Sequence, residues 1–232
     1  MPRAARVAPK DYVYHVMTRG NNRQTVFRDE EDYLRYLEIL RQYRAKYKCK
    51  LYHYVLMGNH VHLVLRPSDD GGALSQIMKG INLTYASHYK KKYRHTGHFW
   101  QDRYKSIIVA EDEYLLACGS YVELNPVRAR IVQEAKQYRW SSYNVYAHGK
   151  EDNLVDRQHV YQGFARNAVE RQKKYREFVR GMLKEKKAMK GEMDRKLVYG
   201  GTDFVEMLTK EHLITGELRA IGRPKKTVKT EK

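Results

Sequence analysis

Two histidines one residue apart, His60 and His62, stand in the run Met57-Gly58-Asn59-His60-Val61-His62-Leu63-Val64-Leu65. Gly58 and Asn59 tolerate the positive φ of a tight turn, and the residues on either side are strand formers. Alternate side chains of a strand share a face, so the two imidazoles point the same way, with Val61 opposed. That supplies two ligands of a divalent-cation site on a rigid element. A His-x-His pair alone is more often an ordinary feature of a strand. A second pair further along changes the balance. Tyr121 and Asn125 are four residues apart in a helical stretch, hence one above the other, flanking its apolar stripe where they border a cleft. The plainer roles are a half-buried packing aromatic for Tyr121, and for Asn125 the N-cap of a further short helix with Pro126 at its first position.

Periodicity shows the elements that must position these groups. A β-branched and aromatic run over 12–19 predicts a first strand. Asp29 is suited to cap a helix whose buried face carries Tyr33, Tyr36, Leu37 and Leu40. Strands follow over 49–57 and 60–66, the latter stopped by Pro67, which has no ladder donor. Beyond Asp69-Asp70-Gly71-Gly72 a helix carries the stripe Leu74, Ile77, Met78, Ile81, Tyr85 and Tyr89. Alternation from about Trp100 to Val109 predicts a fourth strand. After Glu111-Asp112-Glu113 a last helix turns Leu115, Cys118 and Val122 toward the sheet. The order β-α-β-β-α-β-α begins with the split βαβ pattern. The expected fold is α+β, a ferredoxin-like antiparallel sheet with helices on one face. This domain is expected over residues 1–148. Residues 149–232 form a mainly helical, basic C-terminal region, with helices near 167–185 and from Thr202 or Asp203, and a solvated or flexible stretch over 184–195.

The chain of 232 residues carries 45 Lys and Arg against 27 Asp and Glu, a formal net charge of +18. Such an excess concentrates polyanions. Nucleic acid is the favoured partner over an anionic membrane surface, because no long basic amphipathic helix has a continuous apolar face. Twenty tyrosines add stacking surfaces for unpaired bases, although many must be core. The two cysteines, Cys49 and Cys118, form no Cys-x-x-Cys pair, which argues against a disulfide framework or zinc ribbon. No signal peptide or membrane span is apparent, so the expected place is the cytoplasm, at the nucleoid. Arg19-Gly20-Asn21-Asn22-Arg23 is either a solvated turn or a loop contacting phosphates and base edges. Lys90-Lys91-Lys92-Tyr93-Arg94 either complements a helix C-terminus or, with His95 to Tyr104 and Arg103 among them, forms a basic and aromatic single-strand track. Arg128 and Arg130 are further basic candidates. Gly222-Arg223-Pro224-Lys225-Lys226 looks like a minor-groove AT-hook core or adds salt-sensitive phosphate affinity.

The sequence resembles the single-tyrosine HUH transposases of small insertion sequences, and within them the REP-associated tyrosine transposases. The resemblance rests on Tyr14-His15-Val16, Arg19-Gly20-Asn21-Asn22-Arg23, Met57-Gly58-Asn59-His60-Val61-His62, Trp100-Gln101-Asp102-Arg103-Tyr104, Tyr121-Val122-Glu123-Leu124-Asn125-Pro126-Val127-Arg128-Ala129 and Trp140-Ser141-Ser142-Tyr143. These span residues 11–146 in family order. The resemblance implies cutting and rejoining of single-stranded DNA, with imperfect hairpins and a short tag at their foot as the DNA bound. By position it implies Tyr121 as nucleophile, with His60, His62 and Asn125 as metal ligands. Many relatives carry Gln or His where this chain has Asn125, whose amide is a shorter and weaker ligand. Relatives act as swapped-helix dimers or as monomers; the extended C-terminal region favours a monomer.

The chemistry is coherent in its own terms. A phenol attacks a phosphodiester when its proton is removed and a divalent cation polarises the phosphoryl oxygens. The cation also neutralises charge in the transition state. Histidines with an oxygen ligand suit Mg²⁺, Mn²⁺ or Zn²⁺, and Mg²⁺ or Mn²⁺ is the expected cofactor. A covalent phosphotyrosine conserves the bond energy for rejoining. The alternative is a catalytically silent protein that binds structured nucleic acid, since a ferredoxin-like sheet supports both. A weaker third reading is a metal phosphoesterase in which Tyr121 is structural.

Overall fold

The computed structural model describes residues 8–68, 73–184 and 197–212. Strands β1 (Val13–Arg19), β2 (Lys50–Met57), β3 (His60–Arg66) and β4 (Lys105–Val109) pair antiparallel in the spatial order β2-β3-β1-β4. That is the ferredoxin-like arrangement expected from the order of elements. Helices α1 (Glu30–Lys46) and α2 (Leu74–Tyr93) make the two crossovers and lie on one face. Asp29 caps α1 by accepting from the Asp32 N–H at 3.1 Å, as its position predicts. The strand side chains facing these helices are Tyr14, Val16, Leu56, Val61, Leu63 and Leu65; Tyr36, Ile39, Ile77, Ile81 and Tyr85 close on them.

The opposite face is covered by α3 (Glu113–Glu123), which buries Leu115, Cys118 and Val122 against Val13, Val55, Val64 and Val109. A register shift between Leu51 and His53 turns β2 locally, and both Tyr52 and His53 belong to this face. The other side of α3 is apolar too. Leu116 packs with α5 (Tyr143–His148), α6 (His159–Gln162) and α7 (Ala168–Lys184) through Tyr146, Tyr161, Tyr175 and Val179. The chain then returns to the sheet. The two-residue β5 (Val198–Tyr199) adds parallel to β4, and α8 (Thr202–His212) places Leu208 in the main core.

A buried polar knot ties α3 to its surroundings. The Glu123 carboxylate meets His53 Nδ1 at 2.8 Å and accepts from Ser142 Oγ at 2.6 Å and Tyr175 OH at 2.7 Å. Gln158 Nε2 meets the far nitrogen of His53 at 2.9 Å. The imidazole lies so close to α3 that a Cβ on Gly119 would sit 2.3 Å from His53 Nε2. Neither the ring, held at both nitrogens, nor the helix can yield freely. Gly119→Ala is therefore expected to destabilise the protein by about 3 kcal/mol, read as a lower urea midpoint at unchanged slope. A midpoint equal to wild type would show that the knot relaxes.

Two boundaries differ from expectation. The fourth strand begins at Lys105, because the ladder over residues 100–104 is limited to the isolated Gly20–Trp100 bridge. Asn125 is the first residue of the short α4 (Asn125–Arg128), whose N-cap is Leu124. Pro126 lacks the N–H that would bond the Val122 carbonyl. The Asn125 amide takes that place, donating to the carbonyls of Tyr121 and Val122, each at 3.1 Å. The chain thereby continues almost helically through the proline. Many tyrosines are core, as expected: Tyr85 and Tyr146 are fully buried and donate to the carbonyls of Val26 and Tyr52 at 2.8 Å. Among the described residues no helix is long and apolar enough to cross a membrane.

Candidate active site

Strand direction decides where the chemistry can assemble. β3 begins at His60 and β1 ends at Arg19, and the antiparallel pairing sets Arg19 opposite His60 and Met17 opposite His62. β4 ends at Val109, at the far edge of the sheet, and α3 then runs back toward the histidine end. Its final turn carries Tyr121 to the two imidazoles. The His60 and His62 ring centroids are 5.0 Å apart at 80°. The Tyr121 ring stands edge-on to His62 at 6.4 Å. Groups 60 residues apart in sequence thus meet over one face of β3.

A third histidine completes the cluster. His15, on β1 and almost wholly buried, stacks on His62 at 5.0 Å and 16°, with its Nε2 2.8 Å from His62 Nδ1. It also faces the Tyr121 ring edge-on at 6.0 Å. The His15 Nδ1 atom is buried and has no hydrogen-bond partner. On the other side of the pair, His60 Nδ1 lies 2.6 Å from Asn59 Oδ1. Burial, with Arg19 adding to it, pushes His60 down to about 4. Burial first, then His15, His60, Arg128 and Arg19, holds His62 well below the ordinary histidine range. Burial alone pushes His15 down to about 4. At neutral pH all three imidazoles are therefore uncharged, the form that ligates metal.

The donors suit a cation completed by oxygen. Among the described residues no group of three or more His, Cys, Asp or Glu is placed to hold a metal. Two neutral imidazoles remain, with the Asn125 side-chain oxygen as the expected third ligand. The Asn125 nitrogen is already engaged with the α3 carbonyls. A cation held by these residues would take its remaining ligands from water and phosphate oxygens, as Mg²⁺ and Mn²⁺ favour.

Arg128 also belongs to this pocket. Its guanidinium carbon lies 4.1 Å from the centre of the Tyr121 ring, and it donates to the Tyr121 carbonyl. Burial lowers its pKa and Tyr121 opposes that shift. Residues 121 and 128 are two helical turns apart, which becomes a shared face once Pro126 leaves the helix path unbroken. By sequence alone Arg128 is a DNA-contact candidate, and no local pattern gives His15 a role. The alternation along β1 places His15 on the same face as Val13. Only the register with β3 brings it to His62.

The other basic candidates gather around the same end of the sheet. Gly20 donates to the Asn59 carbonyl at 3.0 Å, Asn21 to Phe99 at 2.8 Å and Gln101 to Arg19 at 2.9 Å. Residues 19–23 and 99–103 thus form one lip beside the His60 turn. Asn21, Asn22, Arg23 and Arg103 are exposed on it, and Arg19 is half-buried. Asn22 and Arg23 both adopt left-handed backbone, φ 48° and 58°, a conformation costing about 1 kcal/mol each and common where a loop meets a ligand. Lys91 and Arg94 are exposed at the end of α2, and Arg130 lies just past α4. Lys92 is different. Its ammonium is held by Asp29 at 2.9 Å, Glu31 at 2.8 Å and Asp32 at 3.1 Å, so it serves the α1–α2 contact and has little left for a phosphate. Arg223 and Lys225 lie outside the described residues, as do the 69–72 turn and most of the 184–195 stretch.

The family described as Transposase IS200 like matches residues 9–125, just over half the chain. No curated protein matches. Among solved structures, a REP-associated tyrosine transposase bound to a REP hairpin is 15% identical with a TM-score of 0.55, covering 68% of this chain and 98% of that one. At that identity the likeness speaks for the fold. A candidate transposase from Deinococcus radiodurans r1 is 19% identical over 59% of this chain and 98% of its own; its TM-score of 0.37 is too low to bear on this chain.

Proposed function

Because the chain belongs to the IS200-like transposase family, and so is an enzyme of DNA transposition, we propose that it cuts and rejoins single-stranded, hairpin-containing DNA through a covalent phosphotyrosine on Tyr121. The observation that carries this reading is the convergence of Tyr121 with His15 and His62, at ring distances of 6.0 and 6.4 Å. His60, His62 and Asn125 are the residues that would hold Mg²⁺ or Mn²⁺. When bound, the cation supplies polarisation of the phosphoryl oxygens and neutralises charge in the transition state.

The chain's own residues do the rest. The Tyr121 oxygen attacks phosphorus and loses its proton; the tyrosyl–phosphate bond forms as one deoxyribose oxygen leaves and takes up a proton. One phosphoester replaces another, so a hydroxyl of a second strand end can reverse the step without an external energy source. Arg128 fixes one face of the phenol ring and sets a positive charge beside it. The lip of residues 19–23 and 99–103, with Lys91, Arg94 and Arg130, tracks the phosphates. An imperfect hairpin with a short tag at its foot is the substrate we infer, and the nucleoid in the cytoplasm the place of action. The test is incubation with hairpin-bearing single-stranded DNA and Mg²⁺ or Mn²⁺, which should give a denaturant-resistant protein–DNA adduct. Binding without any adduct would instead indicate a silent nucleic-acid-binding protein.

The chain acts as a monomer in this reading, which the segments lying along β2 and β4 support. Along β2, the Leu56 N–H donates to Trp140 at 2.9 Å, Tyr54 accepts from Ser142 at 3.1 Å and Leu51 accepts from Asp156 at 2.7 Å. Beyond β4, Ile108 and Ala110 donate to Leu197 and Tyr199, both at 2.9 Å. These contacts cap β2 and β4 against edge-to-edge pairing with a second copy. Light scattering at micromolar concentration should return the mass of one chain; a stable dimer would contradict this.

A further inference from the structure

The geometry points to Asn59 and His15 as positioning residues that set the tautomers of the two ligand imidazoles, each donating through Nδ1 and presenting a bare Nε2. This rests on the reading of His60 and His62 as cation ligands.

For His60 the assignment follows from the turn itself. Asn59 Nδ2 donates to the Arg23 carbonyl at 3.4 Å, which orients the amide, and Oδ1 then faces His60 Nδ1 at 2.6 Å. An amide oxygen only accepts, so the proton sits on His60 Nδ1 and the lone pair on Nε2. For His62 the partner is His15 Nε2, 2.8 Å away. A proton on His62 Nδ1 makes His15 Nε2 the acceptor, moves the His15 proton to its buried, unpartnered Nδ1, and leaves His62 Nε2 bare. The opposite arrangement would put the proton on the nitrogen that must bind the cation. Burial keeps water from supplying a substitute partner: His15 and His62 are each 4% exposed. Ligand histidines elsewhere are fixed in this way by carboxylates or carbonyls. Here a second imidazole and a turn amide take that role, and the same two contacts orient the rings relative to Tyr121.

The test combines ¹⁵N spectra of the histidine side chains with Mn²⁺ titration followed by electron paramagnetic resonance. In the wild-type protein, His60 and His62 should show protonated Nδ1 and bare Nε2. His15→Phe keeps a stacked ring but removes the acceptor. It should disturb the His62 nitrogen pattern and weaken Mn²⁺ binding about 10- to 100-fold. His15→Gln restores an acceptor near the Nε2 position and should recover most of that loss, a rescue that simple packing would not give. Asn59→Ala and Asn59→Asp form the corresponding pair for His60. A bare Nδ1 on His62 in the wild-type spectrum would overturn the proposal even if no variant folds. So would Mn²⁺ affinity in His15→Phe equal to wild type. Failure of the wild-type protein to bind Mn²⁺ at all would instead sink the cation reading, and the nitrogen pattern alone would then decide whether His15 and Asn59 set the tautomers.

Discussion

Tyr121→Phe is expected to yield no denaturant-resistant adduct with hairpin-bearing DNA, a loss of at least ~10³-fold in strand cleavage. Its affinity for the same DNA stays within about fivefold of wild type, the worth of one neutral hydrogen bond of about 1 kcal/mol. The substitution removes a single oxygen. The ring remains under the Arg128 guanidinium and edge-on to His15 and His62, and α3 keeps its anchor at Glu123. Fold and DNA surface therefore stay as they are. Denaturing gels with labelled oligonucleotides read the adduct, and fluorescence anisotropy reads the affinity. An adduct formed by the Phe variant at wild-type yield would refute Tyr121 as the nucleophile.

His60→Ala and His62→Ala likewise lose cleavage, by about 10³-fold or more if cation polarisation supplies some 4 kcal/mol of transition-state stabilisation, while binding measured without added metal changes little. The reason lies in charge. Both imidazoles are held in the neutral form by burial and would add no net attraction to phosphate, whereas the lip arginines and the end of α2 would. The two variants are not equivalent. His62 is 4% exposed and packed between His15 and Tyr121, so its removal also opens a hole and lowers stability by about 2 kcal/mol. His60 sits at the rim and gives the cleaner measurement. Equal losses of cleavage and affinity in His60→Ala would favour a binding protein over an enzyme.

Local pattern accounts for what could be read in advance. Alternation along 60–66 set His60 and His62 on one face, and helix spacing set Leu115, Cys118 and Val122 against the sheet. The order of elements then allowed α3 to return Tyr121 to the histidine end. What stayed hidden depends on relations between distant segments. His15 became part of the cluster only through the register that pairs Met17 with His62. The ammonium of Lys92 is met by Asp29, Glu31 and Asp32, about 60 residues earlier, a pairing that no local pattern announces. Arg128 came over Tyr121 because the Asn125 amide replaced the hydrogen bond that Pro126 removed, whereas a proline alone argues for a break. The two-residue β5 carries too little periodicity to announce itself.

The segments that cover β2 and β4 bear on how such an enzyme would handle two strand ends. A chain acting alone, with Tyr121 as its nucleophile, would hold a single end at a time. Excising a segment and resealing its flanks would then proceed either by successive turns at one reaction centre, each released before the next begins, or by two molecules brought together by the DNA they grip rather than by each other.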